Sequence, residues 1–147
     1  MNAPQPRSAQ YEHIGETWAR SARYWRSVLR IVAAFVFMLF GASKLFAFPA
    51  SVLPGGGAAR PLSVAWEAGL LEVFGGGLVL LGLFTRPIAF VLAGEMAFAY
   101  FKLHLPKSFW PTINGGVPAV LFCFIWLFIS AAGAGPWSLD ALFRRKR

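Results

Sequence analysis

The chain has one cysteine, Cys123, and it lies inside an apolar run. A disulfide framework within the chain is therefore excluded, and with no CxxC pair there is no dithiol redox motif or zinc knuckle. The two histidines, His13 and His104, are far apart and give no metal-ligand spacing. No metal site is expected. Charge is scarce: only 14% of residues are charged, against about 25% in soluble domains. Acids are scarcest, six against 14 Lys and Arg, for a net charge of +8. A nucleic-acid binder can be this basic, but it does not gather the rest of its chain into long apolar runs. No Ser/His/Asp set is present. The triple glycine Gly75–Gly77 sits within an apolar run, so it reads as a surface for close helix contact and not as a phosphate loop. Cys123 reads as a small packing residue.

Apolar residues are abundant. They make up 57% of the chain, and mean hydropathy is +0.58. Four stretches approach the roughly 20 apolar residues that cross a bilayer: 28–48, 62–84, 87–105 and 116–134. Breaker-rich connections separate them at "FPASVLPGGGAARP" and "LPKSFWPTINGG", whereas "TRP" at 85–87 is a very short link. The expectation is an all-α fold: an integral membrane, antiparallel four-helix bundle over residues 28–138, with the second and third spans forming a hairpin.

The basic residues orient it. Arg7, Arg20, Arg23, Arg26, Arg30, Arg86, Arg144, Arg145, Lys146 and Arg147, ten of the 14, fall on one side of such a bundle. The positive-inside rule puts that side, and both termini, in the cytoplasm of a multi-pass cell-membrane protein. Residues 139–147 then form a basic cytoplasmic tail. Residues 1–10 are polar and proline-bearing, which suggests a disordered tail. Over 11–27, Tyr11, Ile14, Trp18, Ala22 and Trp25 recur at helical spacing among arginines. That pattern suggests a short amphipathic helix lying in the interface. A disordered basic tail is the alternative; a cleaved signal is disfavoured because the apolar run exceeds the usual ~7–15 residues.

Lys44 stands near the outer end of the first span. Glu72 and Glu95 lie within the second and third, Lys102, His104 and Asn114 lie toward the outer side, and Glu67 falls at the rim. A charge at the centre of a span costs about 2.5–3.5 kcal/mol on insertion scales. Glu72 and Glu95 should therefore face other helices, either paired or protonated. Lys44 is the candidate partner of Glu72, and Glu95 is the one expected neutral. The competing reading of Lys44 is a snorkelling anchor with its head at the interface. The candidate polar site is thus Lys44, Glu72, Glu95, Lys102, His104 and Asn114.

The stretches "VLRIVAAFVFMLFGASKLF", "EAGLLEVFGGGLVLLGLFTRPIA" and "GPWSLDALFRR" resemble the DoxX family of small four-helix membrane proteins. The resemblance covers Val28 to the C-terminus, and "LLEVFGGGLVLLGLFTR" is its most specific phrase. Lys44 and Glu72 fall on the family's recurring polar positions. Val117 follows the "NGG" where many relatives carry an acid, so any role of that acid is absent here or carried elsewhere. The resemblance implies a subunit or accessory of a membrane redox system, with a quinone-like or lipid molecule in the outer half of the bundle. Its implied partners are the lipid bilayer, membrane or peripheral redox proteins and further copies of the chain; nucleic acid is not among them. No covalently bound cofactor is expected, and no stand-alone enzyme motif is visible. The alternatives are a noncatalytic scaffold or assembly partner, and a small proton-coupled carrier.

The orientation has a direct test. In a Cys123→Ala background, single cysteines at Ser51 and Ser108 are expected to react with an impermeant thiol reagent in intact cells. Labelling at Ser8 instead would reverse the topology.

Overall fold

The computed structural model describes residues 7–145, and all of the regular structure in them is helical. Residues 1–6 of the expected tail, and 146–147, lie outside the described residues. The first helix, α1, spans Arg7–Phe46. No proline interrupts this stretch, and nothing stops the helix before Ala47, whose φ is positive. Residues 7–10, expected in a disordered tail, are helical, and the amphipathic stretch 11–27 runs on into the first span without a break. It is the first half of one rod, about 60 Å long at 1.5 Å per residue, twice the roughly 30 Å of a hydrocarbon core.

The second helix, α2, covers Val64–Leu81. The Ser63 Oγ caps it by accepting from Trp66 N at 3.2 Å. It contains a π-helical turn at Leu71–Gly75 and ends at Gly82, where φ is +71°. Glycine reaches that left-handed conformation without a Cβ penalty. Helix α3 covers Thr85–Ala99 and continues as a second π-helical turn, Tyr100–His104. Pro87 lies in its first turn, where no intrahelical bond needs an N–H. A short turn of helix, α4 (Pro111–Asn114), precedes α5 (Val117–Ala132). The expected basic tail folds as a further helix, α6 (Leu139–Arg145). Two stretches, Ser21–Phe46 and Val64–Leu81, are long and apolar enough to cross a membrane, and α5 is a shorter apolar helix.

Helix α1 packs along α2, and α3 packs along α5, with smaller contacts joining α2 to α3 and α1 to α5. The core between them is narrow. Ala33, Ala34, Ala89 and Ala119 let the helices approach, while Phe37 fills the centre. Its ring meets Trp126 edge-on, centroids 5.2 Å apart. The larger apolar side chains turn outward: Phe35, Phe74, Phe90 and Phe124 are exposed. So wide an apolar exterior suits a hydrocarbon solvent and not water.

The helix ends around Arg30 and Asp140 are held by two polar knots. Arg30 is fully buried. Its Nε donates to Ala134 O at 2.9 Å, Nη1 donates to Val79 O and Leu80 O, and Nη2 donates to Trp137 O. Val79 and Leu80 belong to the last turn of α2, whose carbonyls lack the usual i+4 partners, Val79 O keeping a tighter bond from Gly82 N at 3.0 Å, and carry the negative end of the helix dipole. Asp140 works from the other side. Its carboxylate accepts from Phe84 N and Thr85 N, both at 3.0 Å, which caps the start of α3.

Glycine placement sets the α1–α2 distance. A Cβ at Gly41 would lie 2.8 Å from Gly69 O and 2.9 Å from the Glu72 Cβ. One at Gly76 would lie 2.7 Å from Met38 Cγ, so Gly76 faces α1 and not lipid. Gly94, by contrast, has open space around it. Gly41→Ala is expected to destabilise the detergent-solubilised protein by about 1–3 kcal/mol, whereas Gly94→Ala should be neutral or gain up to about 1 kcal/mol. Thermal unfolding of the two variants checks both; equal behaviour would remove the close-contact account.

Candidate functional site

The lysine in the last turn of α1 finds its partner. Lys44 Nζ donates to Glu72 Oε1 at 2.6 Å. The Lys44 side chain is 18% exposed and that of Glu72 is 3% exposed. Lys44 is therefore not a snorkelling anchor: its head is turned inward to an acid. The local sequence makes this reachable. Gly41, one turn before Lys44, lets the backbones of α1 and α2 touch, and Gly69 receives the Lys44 Cβ at 3.3 Å from where its own Cβ would be. Glu72 is in the π-helical turn of α2. Such a turn holds one more residue than an α-turn, and π turns of this kind are common at functional sites.

Glu95 joins the pair from α3. Gly75 meets the side chain of Leu92 across the α2–α3 hairpin, at 2.8 Å from an added Cβ. The two helices are linked by three residues and run antiparallel, so three steps outward from this contact lead to Glu72 on one and Glu95 on the other. Glu95 is within electrostatic reach of both Glu72 and Lys44. Glu72 Oε2 and both Glu95 oxygens are buried without a hydrogen-bond partner. The group thus offers one ammonium and three unfilled carboxyl oxygens in an apolar setting. It can hold a molecule that brings donors to the carboxyls or an acceptor to Lys44.

Other expected members stand apart. Asn114 is buried: its Nδ2 donates to Ser108 O at 2.7 Å, and its Oδ1 accepts from Gly116 N at 2.7 Å. His104 Nδ1 lies 3.1 Å from Asn114 O. A carbonyl only accepts, so this nitrogen carries the proton. Tyr100 closes the same loop by donating its hydroxyl to Phe109 O at 2.6 Å. His104 and Asn114 therefore clasp the connection into α5 and make no described hydrogen bond to the carboxyl group. Lys102 and Glu67 are exposed. Among the described residues, no cluster of three or more His, Cys, Asp or Glu is arranged to hold a metal ion.

Arg30 and Asp140 escape a sequence reading. Counted as an inner-face charge, Arg30 looks like any other arginine; its position inside an apolar run was the one available sign.

A double-mutant cycle tests the pair. Removing one partner from a buried ion pair costs about 3–5 kcal/mol, so Lys44→Met and Glu72→Gln should each destabilise strongly, and the double variant should lose less than their sum. Additivity within about 0.5 kcal/mol, read by thermal or denaturant unfolding, would show that the contact is not energetically coupled.

Comparison with known proteins places this geometry in a family. The DoxX family model matches residues 26–105, which include Lys44, Glu72 and Glu95. An uncharacterized protein of Haemophilus influenzae is 42% identical over 127 residues, covering 84% of this chain and 93% of its own length. The inner membrane protein YphA of Escherichia coli is 30% identical over 112 residues, covering 73% of this chain and 75% of its own. No solved structure matches. With more than half its length under the family model, and with helices apolar enough to cross a bilayer, the chain belongs to the DoxX family of membrane proteins.

Proposed function

We propose that this chain is the membrane-embedded subunit or accessory of a membrane redox system, and that Lys44, Glu72 and Glu95 receive the polar head of a quinone-like or lipid molecule. In this reading α1, α2, α3 and α5 are the four spans of an antiparallel bundle in the inner membrane, with both termini cytoplasmic. The pairwise packing of α1 with α2, α2 with α3, α3 with α5 and α5 with α1 supports the arrangement.

The observation that carries the ligand reading is the set of three buried, unpartnered carboxyl oxygens. Buried polar atoms are ordinarily hydrogen-bonded, and unfilled ones call for a reason. A groove open to the bilayer lies one turn away along the same two helices, with neither glutamate in its lining. This apolar groove of about 280 Å³ follows the α2–α3 seam, between Leu71, Gly75 and Leu78 on one side and Ile88, Val91 and Leu92 on the other. Ile88, Val91 and Leu92 stand seven, four and three residues before Glu95, on its own face of α3. A lipid-soluble molecule lying in this seam brings its head to the level of the carboxyls. Lys44 suits a carbonyl oxygen and the carboxyls suit hydroxyl hydrogens, so both redox forms of a quinone-like head have partners.

A second reading is a noncatalytic scaffold, supported by the ion pair that ties α1 to α2. The two separate in one experiment. The protein is extracted from its native membrane, and the quinones, lipids and proteins that travel with it are identified. Glu95→Gln, which leaves the Lys44–Glu72 contact in place, is expected to lower retained quinone at least about tenfold, a loss of roughly 1.4 kcal/mol, without a matching fall in melting temperature. Equal ligand content in wild type and variant favours the scaffold.

A further inference from the structure

A groove of about 580 Å³ runs along α1 well away from the carboxyl group in sequence, lined by Trp18, Trp25, Arg26, Leu29 and Val32, with Phe128 contributed by α5. The α1 members recur at the three- and four-residue steps of one helix face. They continue the stripe that begins in the part of the rod beyond the spans. Arg26 marks the inner end of α5, where its Nη1 donates to Ala132 O at 2.7 Å. Leu29, Val32 and Phe128 are on the hydrocarbon side of that level. Trp18 lies about 12 Å beyond it at 1.5 Å per residue. The groove therefore crosses from an apolar floor to a rim of indole and guanidinium, and Trp18 and Trp25 are both exposed there.

Its charge has one sign. Arg26 lines the groove, and its Nε is without a hydrogen-bond partner. Arg23 is exposed outside the groove, its guanidinium over the Tyr24 ring. Among the described residues, no acidic side chain lines the groove. A second copy of the chain, inserted in the same sense and packed groove to groove, would bring Arg26 toward Arg26. An occupant with an apolar tail and an anionic head meets both halves.

We propose that this groove binds an acidic phospholipid, with one acyl chain along Leu29, Val32 and Phe128 and the phosphate held by Arg26 beneath the two indole rings. Indole rings favour the headgroup level, and basic pockets between spans are suited to anionic lipid heads. The placement in the cytoplasmic leaflet rests on the orientation proposed above; the site itself is independent of the redox reading.

The test is native mass spectrometry of the full chain in detergent, offered equal amounts of phosphatidylglycerol and phosphatidylethanolamine with identical acyl chains. The wild type is expected to retain the acidic lipid by at least about fivefold. Arg26→Gln should reduce that preference, and Val32→Trp, which fills the floor, should reduce retention of both lipids. Arg26→Gln also breaks the tie to Ala132, so Arg26→Lys, which keeps the charge, is its control and is expected to hold the preference. Equal retention of the two lipids by the wild type overturns the proposal. So does unchanged retention in both Arg26→Gln and Val32→Trp, or a lipid-free dimer that shields Trp18 and Trp25 from solvent quenchers.

Discussion

A guanidinium buried among carbonyls fixes one end of this molecule. Arg30 has no acid in hydrogen-bond contact. Instead it gathers the last carbonyls of α2 with those of Ala134 and Trp137. In a hydrocarbon surrounding there is no water to satisfy a helix end, so the chain must supply the donors itself. Arginine is suited to this because its planar head presents five donors in fixed directions. One side chain thus ties α1, the end of α2 and the segment after α5 to a single point. Asp140 completes the arrangement by capping α3 from the same segment.

With that end fixed, the other half is shaped by how closely α1 and α2 approach. Gly41 and Gly69 remove the side chains that would hold the two helices apart. Only then is Lys44 near enough to Glu72 for a 2.6 Å contact. Association of helices in lipid rests on such close packing, because burying apolar surface there gains little. The ion pair is thus a consequence of packing as well as a contributor to it. Glu95 is brought level by the hairpin register and has no matching cation of its own. That imbalance, more than the presence of charge, distinguishes the outer polar group from an ordinary structural bridge.

Much of this was legible in the amino-acid sequence, for definable reasons. The helical class follows from long apolar runs, and the Lys44–Glu72 partnership follows from cost: two lone charges at similar depth are cheaper together. Glu95 could be placed inward by the same reasoning. His104 and Asn114 could not be assigned, because their nearness to the outer side fits a loop clasp as well as a ligand site, and only hydrogen-bond geometry separates the two. Arg30 was hidden by counting charges without asking what each one touches. The length of α1 was misjudged because an amphipathic stripe says which face is apolar, not whether the axis bends at the membrane surface.

The π-helical turn around Glu72 has an evolutionary meaning. Such a turn is an ordinary helix that has accommodated one inserted residue, with hydrogen bonds reaching five residues instead of four. An insertion there leaves the inner half of α2, with its carbonyls on Arg30, in its old register. The wider turn absorbs the added residue, so the other half keeps its face as well, and only the side chains within the turn change the direction they present. A carboxyl can thus be gained or lost at the α1 seam by a change in length at one point, without redesigning the rest of the helix. Among relatives, a gap or an extra residue between 71 and 75 would be a more informative difference than most substitutions.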